Sequence, residues 1–243
     1  MIFDGDDTLW ITEPLYDGAR CVAGSVVADA SFDVVEWDRL QREIDVRNVA
    51  LLGLSPTRFP TSCVQALEVL AESSGRLLDE TLRRSVYLAA AQVFERTAPL
   101  ALGAQSIVEQ LHSCCYLALL TKGDRTVQAG RVRDSGLTDL FDSVDVVDRK
   151  DPSTFAAVLE RFGVGPERAW SVGNSLRSDI LPAVQAGLNG IVVDAHVWEF
   201  ERFERHEVPQ SIPIIPNLLE LPVVLRQSGF DFYQTVRRIP VSG

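Results

Sequence analysis

The 243-residue chain has no apolar run of membrane-spanning length and no basic stretch followed by an apolar signal segment. It also lacks Lys/Arg-rich runs, low-complexity tracts and internal repeats. Its 34 acidic and 23 basic residues give a formal net charge of −11 spread along the sequence. A surface of that sign repels a phosphate backbone, so nucleic acid is an unsuitable partner. We expect a cytoplasmic protein, monomeric or homodimeric, with no nucleic-acid or membrane partner. Cys21, Cys63, Cys114 and Cys115 contain no Cys-x-x-Cys pair and are too sparse for a disulfide scaffold. They are expected to be reduced core thiols. His112, His196 and His206 lack metal-ligand spacing and are expected to be surface or packing residues.

What remains is an ordinary globular composition, 46% hydrophobic and 23% charged, in a chain long enough for one core domain with a substantial insertion. Short apolar, β-branched runs recur at Met1–Phe3, Tyr116–Leu120, Val144–Val147, Ala169–Val172 and Ile191–Val193. Helical patterns separate them, which predicts crossover connections and a parallel α/β sheet. Asp151-Pro152-Ser153 predicts an N-cap followed by proline at the first helical position. Phe155, Val158, Leu159 and Phe162 then share a face, and Gly163 stops the helix. Another helix around Ile180 and Val184 is expected to end at Gly187. From about Glu13 to about Leu100 there are helical patterns and no convincing strand: Trp37, Leu40, Ile44 and Leu51 fit one stripe, and Leu82, Val86, Ala89 and Val93 another. We expect an α-helical subdomain over residues 15–99 inserted into a core of residues 1–14 and 100–243. From Gly229 onward the sequence carries no clear signal.

Chemistry concentrates at the start. Asp4-Gly5-Asp6-Asp7-Thr8-Leu9 follows the first strand directly, at the edge where open α/β sheets bind ligands. Two carboxylates two positions apart suit divided labour, one as nucleophile and metal ligand and the other as proton donor. Only three residues precede Asp4, which leaves open a start placed late or a first strand supported from one side. Because the chain is acidic, a phosphate site here would need its own metal or local basic groups.

The pattern hydrophobic-Asp-x-Asp-x-Thr resembles the first motif of the haloacid dehalogenase superfamily. Three later segments resemble its other motifs in order: Thr121 ending Tyr116–Thr121, Lys150 ahead of Asp151-Pro152 with Arg149 as the competing register, and Gly173-Asn174-Ser175 leading to Asp179. Asn174 departs from the aspartate usual there. The resemblance implies a Rossmann-like doubly wound parallel sheet with a helical cap after the first motif. It further implies a Mg²⁺-dependent phosphatase acting on a small phosphorylated metabolite, with Asp4 as nucleophile and Asp6 as acid and base. Thr121 and Lys150 would bind or neutralise the phosphoryl group; Asp4, the Asp6 carbonyl, Asn174 and Asp179 would serve the metal. Lys122 is a further substrate-binding candidate. So is Arg58, which could hold a distal anion or lie solvated in a loop bounded by Pro56 and Pro60, and Tyr16 could face the site beside it. Phosphomutase, dehalogenase and a non-catalytic binding module are the alternatives; Asp6 argues against dehalogenation.

Overall fold

The computed structural model describes residues 1–230, so all but the first two residues of the stretch from Gly229 lie outside the described residues. Six strands form one parallel sheet: β1 Ile2–Phe3, β2 Ala118–Lys122, β3 Ser143–Val147, β4 Trp170–Gly173, β5 Asn189–Val193 and β6 Ile214–Ile215. Their order is β3-β2-β1-β4-β5-β6. The direction of winding therefore reverses at β1, which pairs with β2 on one side and β4 on the other. That corrects the expectation of one-sided support, since β1 has a parallel strand on each side. The sixth strand carries too short an apolar run to be read from sequence.

Phe3, Leu119, Val172 and Ile191 are fully buried between the sheet and its covering helices, together with residues of α5 Ala104–His112 and α9 Leu221–Gln227. Burying each such side chain stabilises the fold by roughly 1.5–3 kcal/mol relative to exposure. The opposite face is covered by α7 Pro152–Phe162, where Phe155, Val158 and Leu159 pack on Ile2, Ala118 and Leu120. Asp151 caps this helix, accepting from the Thr154 N–H at 3.0 Å, and Gly163 ends it at φ +62°. Around Ile180 the expected helix is a single π-helical turn, Leu176–Ile180, followed by α8 Leu181–Gln185.

Between β1 and β2 lie α1 Glu13–Asp29, α2 Val34–Leu52, α3 Arg58–Ser73 and α4 Glu80–Ala91, with a core of their own that includes Trp37, Ile44, Phe59, Leu67, Val86 and Val93. The two connections to the sheet run side by side: Ile11 N–H donates to Pro99 O at 2.8 Å and Ala101 N–H to Leu9 O at 2.9 Å. Three readings need correction. Leu51 is 80% exposed, because the inner face of α2 passes from Ile44 to Asn48 and carries buried Gln41 and Asp45. Arg58 is not in a solvated loop but opens α3 and is buried. Cys21 is exposed, although all four cysteines are free. Among the described residues no helix is long and apolar enough to cross a membrane.

Candidate active site

The loop after β1 turns tightly beneath the site. A Cβ on Gly5 would lie 2.5 Å from the Trp10 ring and 3.2 Å from Thr121 Oγ1, so only glycine allows this approach. Asp4 is anchored through its N–H to Val172 O at 2.9 Å. Asp7 takes φ +57°, a left-handed conformation that aspartate tolerates better than most residues. Its carboxylate accepts from Thr12 N–H at 2.9 Å, Thr12 Oγ1 at 2.7 Å and Glu13 N–H at 3.1 Å. The motif is thereby tied to the start of α1.

Asp4, Lys150 and Asp179 come together at the carboxyl ends of β1, β3 and β4. Lys150 Nζ donates to Asp4 Oδ1 at 2.5 Å and to Asp179 Oδ1 at 2.6 Å, and all three residues are buried. Asp179 Oδ2 accepts from Ser175 N–H at 2.9 Å. Gly173 makes room for this arrangement, since a Cβ there would meet the Asp179 Cγ at 2.5 Å. Two buried carboxylates thus share one ammonium. Burial, followed by the Asp179 charge, pushes the Asp4 carboxyl up to about 7 in spite of Lys150. Burial opposes the Lys150 charge, but Asp179 and Asp4 outweigh it and Lys150 titrates above its usual range.

Thr8 links Asp4 to Asn174. Its hydroxyl contacts Asp4 Oδ2 at 3.2 Å and Asn174 Oδ1 at 3.4 Å, and it accepts from Asn174 N–H at 3.1 Å. Asn174 Nδ2 donates to His196 O at 2.6 Å, which turns the amide oxygen toward Thr8 and Asp4. Two hard oxygen donors therefore face one hydroxyl. No group of three or more His, Cys, Asp or Glu side chains that could hold a metal occurs among the described residues. Any cation here would thus draw on amide and main-chain oxygens as well as carboxylate. Thr121 Oγ1 is buried and has no hydrogen-bond partner.

The other expected residues are engaged. Lys122 Nζ donates to Ser178 Oγ at 2.7 Å and pairs with Glu201, and Lys122 together with the Ser175 and Ser178 hydroxyls holds the Glu201 carboxyl below its usual range against the effect of burial. Arg58 pairs with Asp45, and its guanidinium lies 4.3 Å from the Trp198 ring centroid. Both residues line the cavity, but Arg58 is already neutralised. Tyr16 packs edge-on against Phe59 and Phe94.

Sequence reasoning passed over the residues that hold Asp6. Trp10 Nε1 donates to Asp6 Oδ1 at 2.6 Å, Gln128 Nε2 to Asp6 Oδ2 at 2.9 Å, and Arg131 forms an ion pair with Oδ2. Gln128 and Arg131 lie three positions apart on α6 Arg125–Asp134, a spacing that would have placed them on one face. Nothing in the sequence linked that face to Asp6. Glu13 was also missed; burial and then the Asp7 charge push its carboxyl up to about 8. The cavity bounded by these groups has a volume of about 140 Å³.

Four motif positions at strand ends around one buried nucleophile candidate invite comparison with known proteins. The description of haloacid dehalogenase-like hydrolases matches residues 1–187. The chain belongs to this family. Among haloacid dehalogenase-like hydrolases, it is 28% identical over 235 residues to a glyceraldehyde 3-phosphate phosphatase of Methanothermobacter thermautotrophicus, covering 93% of this chain and 98% of the relative. It is 26% identical to the pyrimidine 5'-nucleotidase YjjG of Escherichia coli, covering 81% and 86%. A haloacid dehalogenase-like family hydrolase from Xanthomonas campestris superposes with a TM-score of 0.75 over 95% of this chain and 97% of its own, at 24% identity. That last likeness concerns the shared fold.

Proposed function

We propose that the protein is a Mg²⁺-dependent phosphatase that hydrolyses a small phosphomonoester through an aspartyl-phosphate on Asp4. The observation that carries this reading is a buried Asp4 held by Lys150 next to a buried, unpartnered Thr121 hydroxyl. An oriented carboxylate is the nucleophile, and an idle hydroxyl is a donor for a phosphoryl oxygen. Asp4 attacks phosphorus as the ester P–O bond breaks, and Lys150 offsets charge on the nucleophile and the transferring group. Asp6 gives its proton to the departing alkoxide, then takes one from the water that attacks phosphorus and frees Asp4. Asp6 also favours phosphoester hydrolysis over dehalogenation, which attacks carbon and needs no second aspartate.

The residues present fit a hard cation. Two buried carboxylates against one ammonium leave the site short of positive charge, and Asp4 Oδ2 and Asn174 Oδ1 are oxygen donors on one side of it. Asp4, the Asp6 main-chain carbonyl and Asn174 would hold Mg²⁺, with Asp179 oriented behind them. When bound, Mg²⁺ supplies charge neutralisation for the phosphoryl oxygens.

Residues 15–99 act as a cap over the core. Tyr16, Arg20, Asp45, Arg58 and Phe59 from this segment line the cavity with the core residues. The cavity has a volume of about 140 Å³ and opens to solvent, so a leaving group can extend beyond it. The test is hydrolysis of p-nitrophenyl phosphate with Mg²⁺ and with excess EDTA, followed by acid quenching with labelled substrate. A metal-dependent rate and label on a peptide containing Asp4 are expected. A rate unaffected by EDTA, or label on another residue, defeats the reading.

A further inference from the structure

Five cationic side chains line the cavity, and each is engaged by at least one carboxylate. Lys150 is bound by Asp4 and Asp179, Lys122 by Ser178 and Glu201, Arg58 by Asp45, and Arg20 by Asp17 and Gln41. The Arg131 side chain is only 11% exposed, and of its five N–H donors one meets Asp6 while another makes a long contact of 3.4 Å with Tyr16 Oη. One turn earlier on the same helix, Gln128 is 2% exposed, and its Oε1 has no hydrogen-bond partner although its Nε2 serves Asp6 and Lys122 O. A spare donor and a spare buried acceptor therefore flank one carboxylate.

Their place relative to the reaction follows from the reading of Asp6 as proton donor, on which this inference rests. The ester oxygen must lie within hydrogen-bond reach of Asp6, so the first carbons of the leaving alcohol lie next to the residues bonded to Asp6. A hydroxyl one or two carbons from the ester oxygen can accept from Arg131 and donate to Gln128. A carboxylate can use only Arg131, and an alkyl chain neither. Leaving the buried amide oxygen unpaired penalises substrates that cannot fill it. We propose that Arg131 and Gln128 are specificity-determining residues that read a hydroxyl on the leaving group, so that the substrate class is small polyol or hydroxy-carbonyl phosphomonoesters.

The experiment compares kcat/KM for glycerol 3-phosphate, phosphoglycolate and ethyl phosphate in the wild type, Arg131→Met and Arg131→Lys. Because Arg131 also orients Asp6, every substrate should slow in the variants, and the ratio between substrates is the informative quantity. The wild type should prefer glycerol 3-phosphate to ethyl phosphate by roughly 10- to 100-fold, the range expected for hydrogen bonds to a charged group. In Arg131→Met the ratio should fall to within about 3-fold, and in Arg131→Lys, which keeps the charge but loses the fork, to an intermediate value. If Arg131→Met does not fold, the Arg131→Lys ratio decides. Equal losses on all substrates would make Arg131 a positioning residue for Asp6 alone and overturn the proposal, as would a wild type that prefers phosphoglycolate or fails to discriminate. Hydrolysis of none of the three by the wild type would overturn the phosphatase reading, and this inference with it.

Discussion

The sheet edge and the helical insertion bury polar groups in opposite ways. At the sheet edge, Asp4, Lys150 and Asp179 satisfy one another, while Thr121 Oγ1 and Gln128 Oε1 stay without partners beside them. In the insertion, Arg20, Gln41, Asp45, Asn48, Arg58 and Ser62 form a buried polar group between three helices, α1, α2 and α3, and three of its atoms, Gln41 Nε2, Asp45 Oδ1 and Arg58 Nε, are unpartnered. An unpaired buried polar atom costs roughly 1–3 kcal/mol. The sheet tolerates that cost where a reacting group is to be received. In the insertion the cost falls within the polar group that aligns α1, α2 and α3, of which Asp45 and Arg58 also line the cavity, and the two regions should respond differently to the same kind of substitution.

The largest effect belongs to the nucleophile. Asp4→Asn should lower turnover of p-nitrophenyl phosphate at least about 10³-fold, because an amide cannot form the acyl-phosphate. Activity above a tenth of the wild type would remove Asp4 from the chemistry.

Next comes a direct contrast between the regions. Asp45→Ala leaves Arg58 buried and without its carboxylate, which should destabilise the protein by about 3–5 kcal/mol in urea unfolding. Thr121→Val removes a hydroxyl that has no partner to lose. It should leave stability nearly unchanged while lowering kcat by roughly 10- to 100-fold through the lost phosphoryl contact. Equal stability losses in the two variants would erase the distinction between the regions.

How much of this the sequence revealed follows the same division. Asp4, Thr121, Lys150 and Asn174 each stand at the end of a short apolar strand, so strand and chemistry signal each other. The parallel sheet was legible for that reason, and β6 escaped because two residues make no pattern. In the insertion, hydropathy misleads: on α2 the inner positions after Trp37 are Gln41, Ile44, Asp45 and Asn48, so an apolar stripe points to exposed Leu51 instead. Arg131 and Gln128 were invisible because their partner, Asp6, lies more than 120 residues away in sequence. Glu201 and Trp198 come from a single short helical turn after β5, Glu199–Glu201 with Trp198 before it, which is too brief to show a periodicity.

The raised Asp4 carboxyl gives the sheet edge a pH signature. At low pH both the folded and the unfolded chain hold a proton at position 4. Above the ordinary value of 3.8 the unfolded chain releases it, while the folded chain keeps it until about 7. Stability from this group is therefore fully present below about pH 4, declines as pH rises to about 7 and then levels off. Asn cannot ionise, so in EDTA the Tm of Asp4→Asn should gain on that of the wild type between pH 5 and pH 8, by an amount on the order of a few kcal/mol in stability. A difference that stays constant or moves the other way would mean that Lys150 fully neutralises Asp4 in the folded protein.

The smallest effect concerns Asn174, where two forces compete. A carboxylate at this position would add a charge to the oxygen donors beside Asp4 and strengthen attraction to a divalent cation. The same carboxylate would also face His196 O, which now accepts from the Asn174 amide at 2.6 Å, so a hydrogen bond of roughly 1 kcal/mol gives way to repulsion between oxygens. Charge acts on the cation, whereas the hydrogen bond acts on the segment after β5 that brings Trp198 and Glu201 to the cavity. Asn174→Asp should therefore lower the Mg²⁺ concentration for half-maximal activity several-fold and raise KM for substrate, with kcat little changed. Superimposable Mg²⁺ titrations would show that Asn174 does not touch the metal and would direct the search to Asp179. An unchanged KM would show instead that the contact with His196 does not hold the segment carrying Trp198 and Glu201 against the substrate.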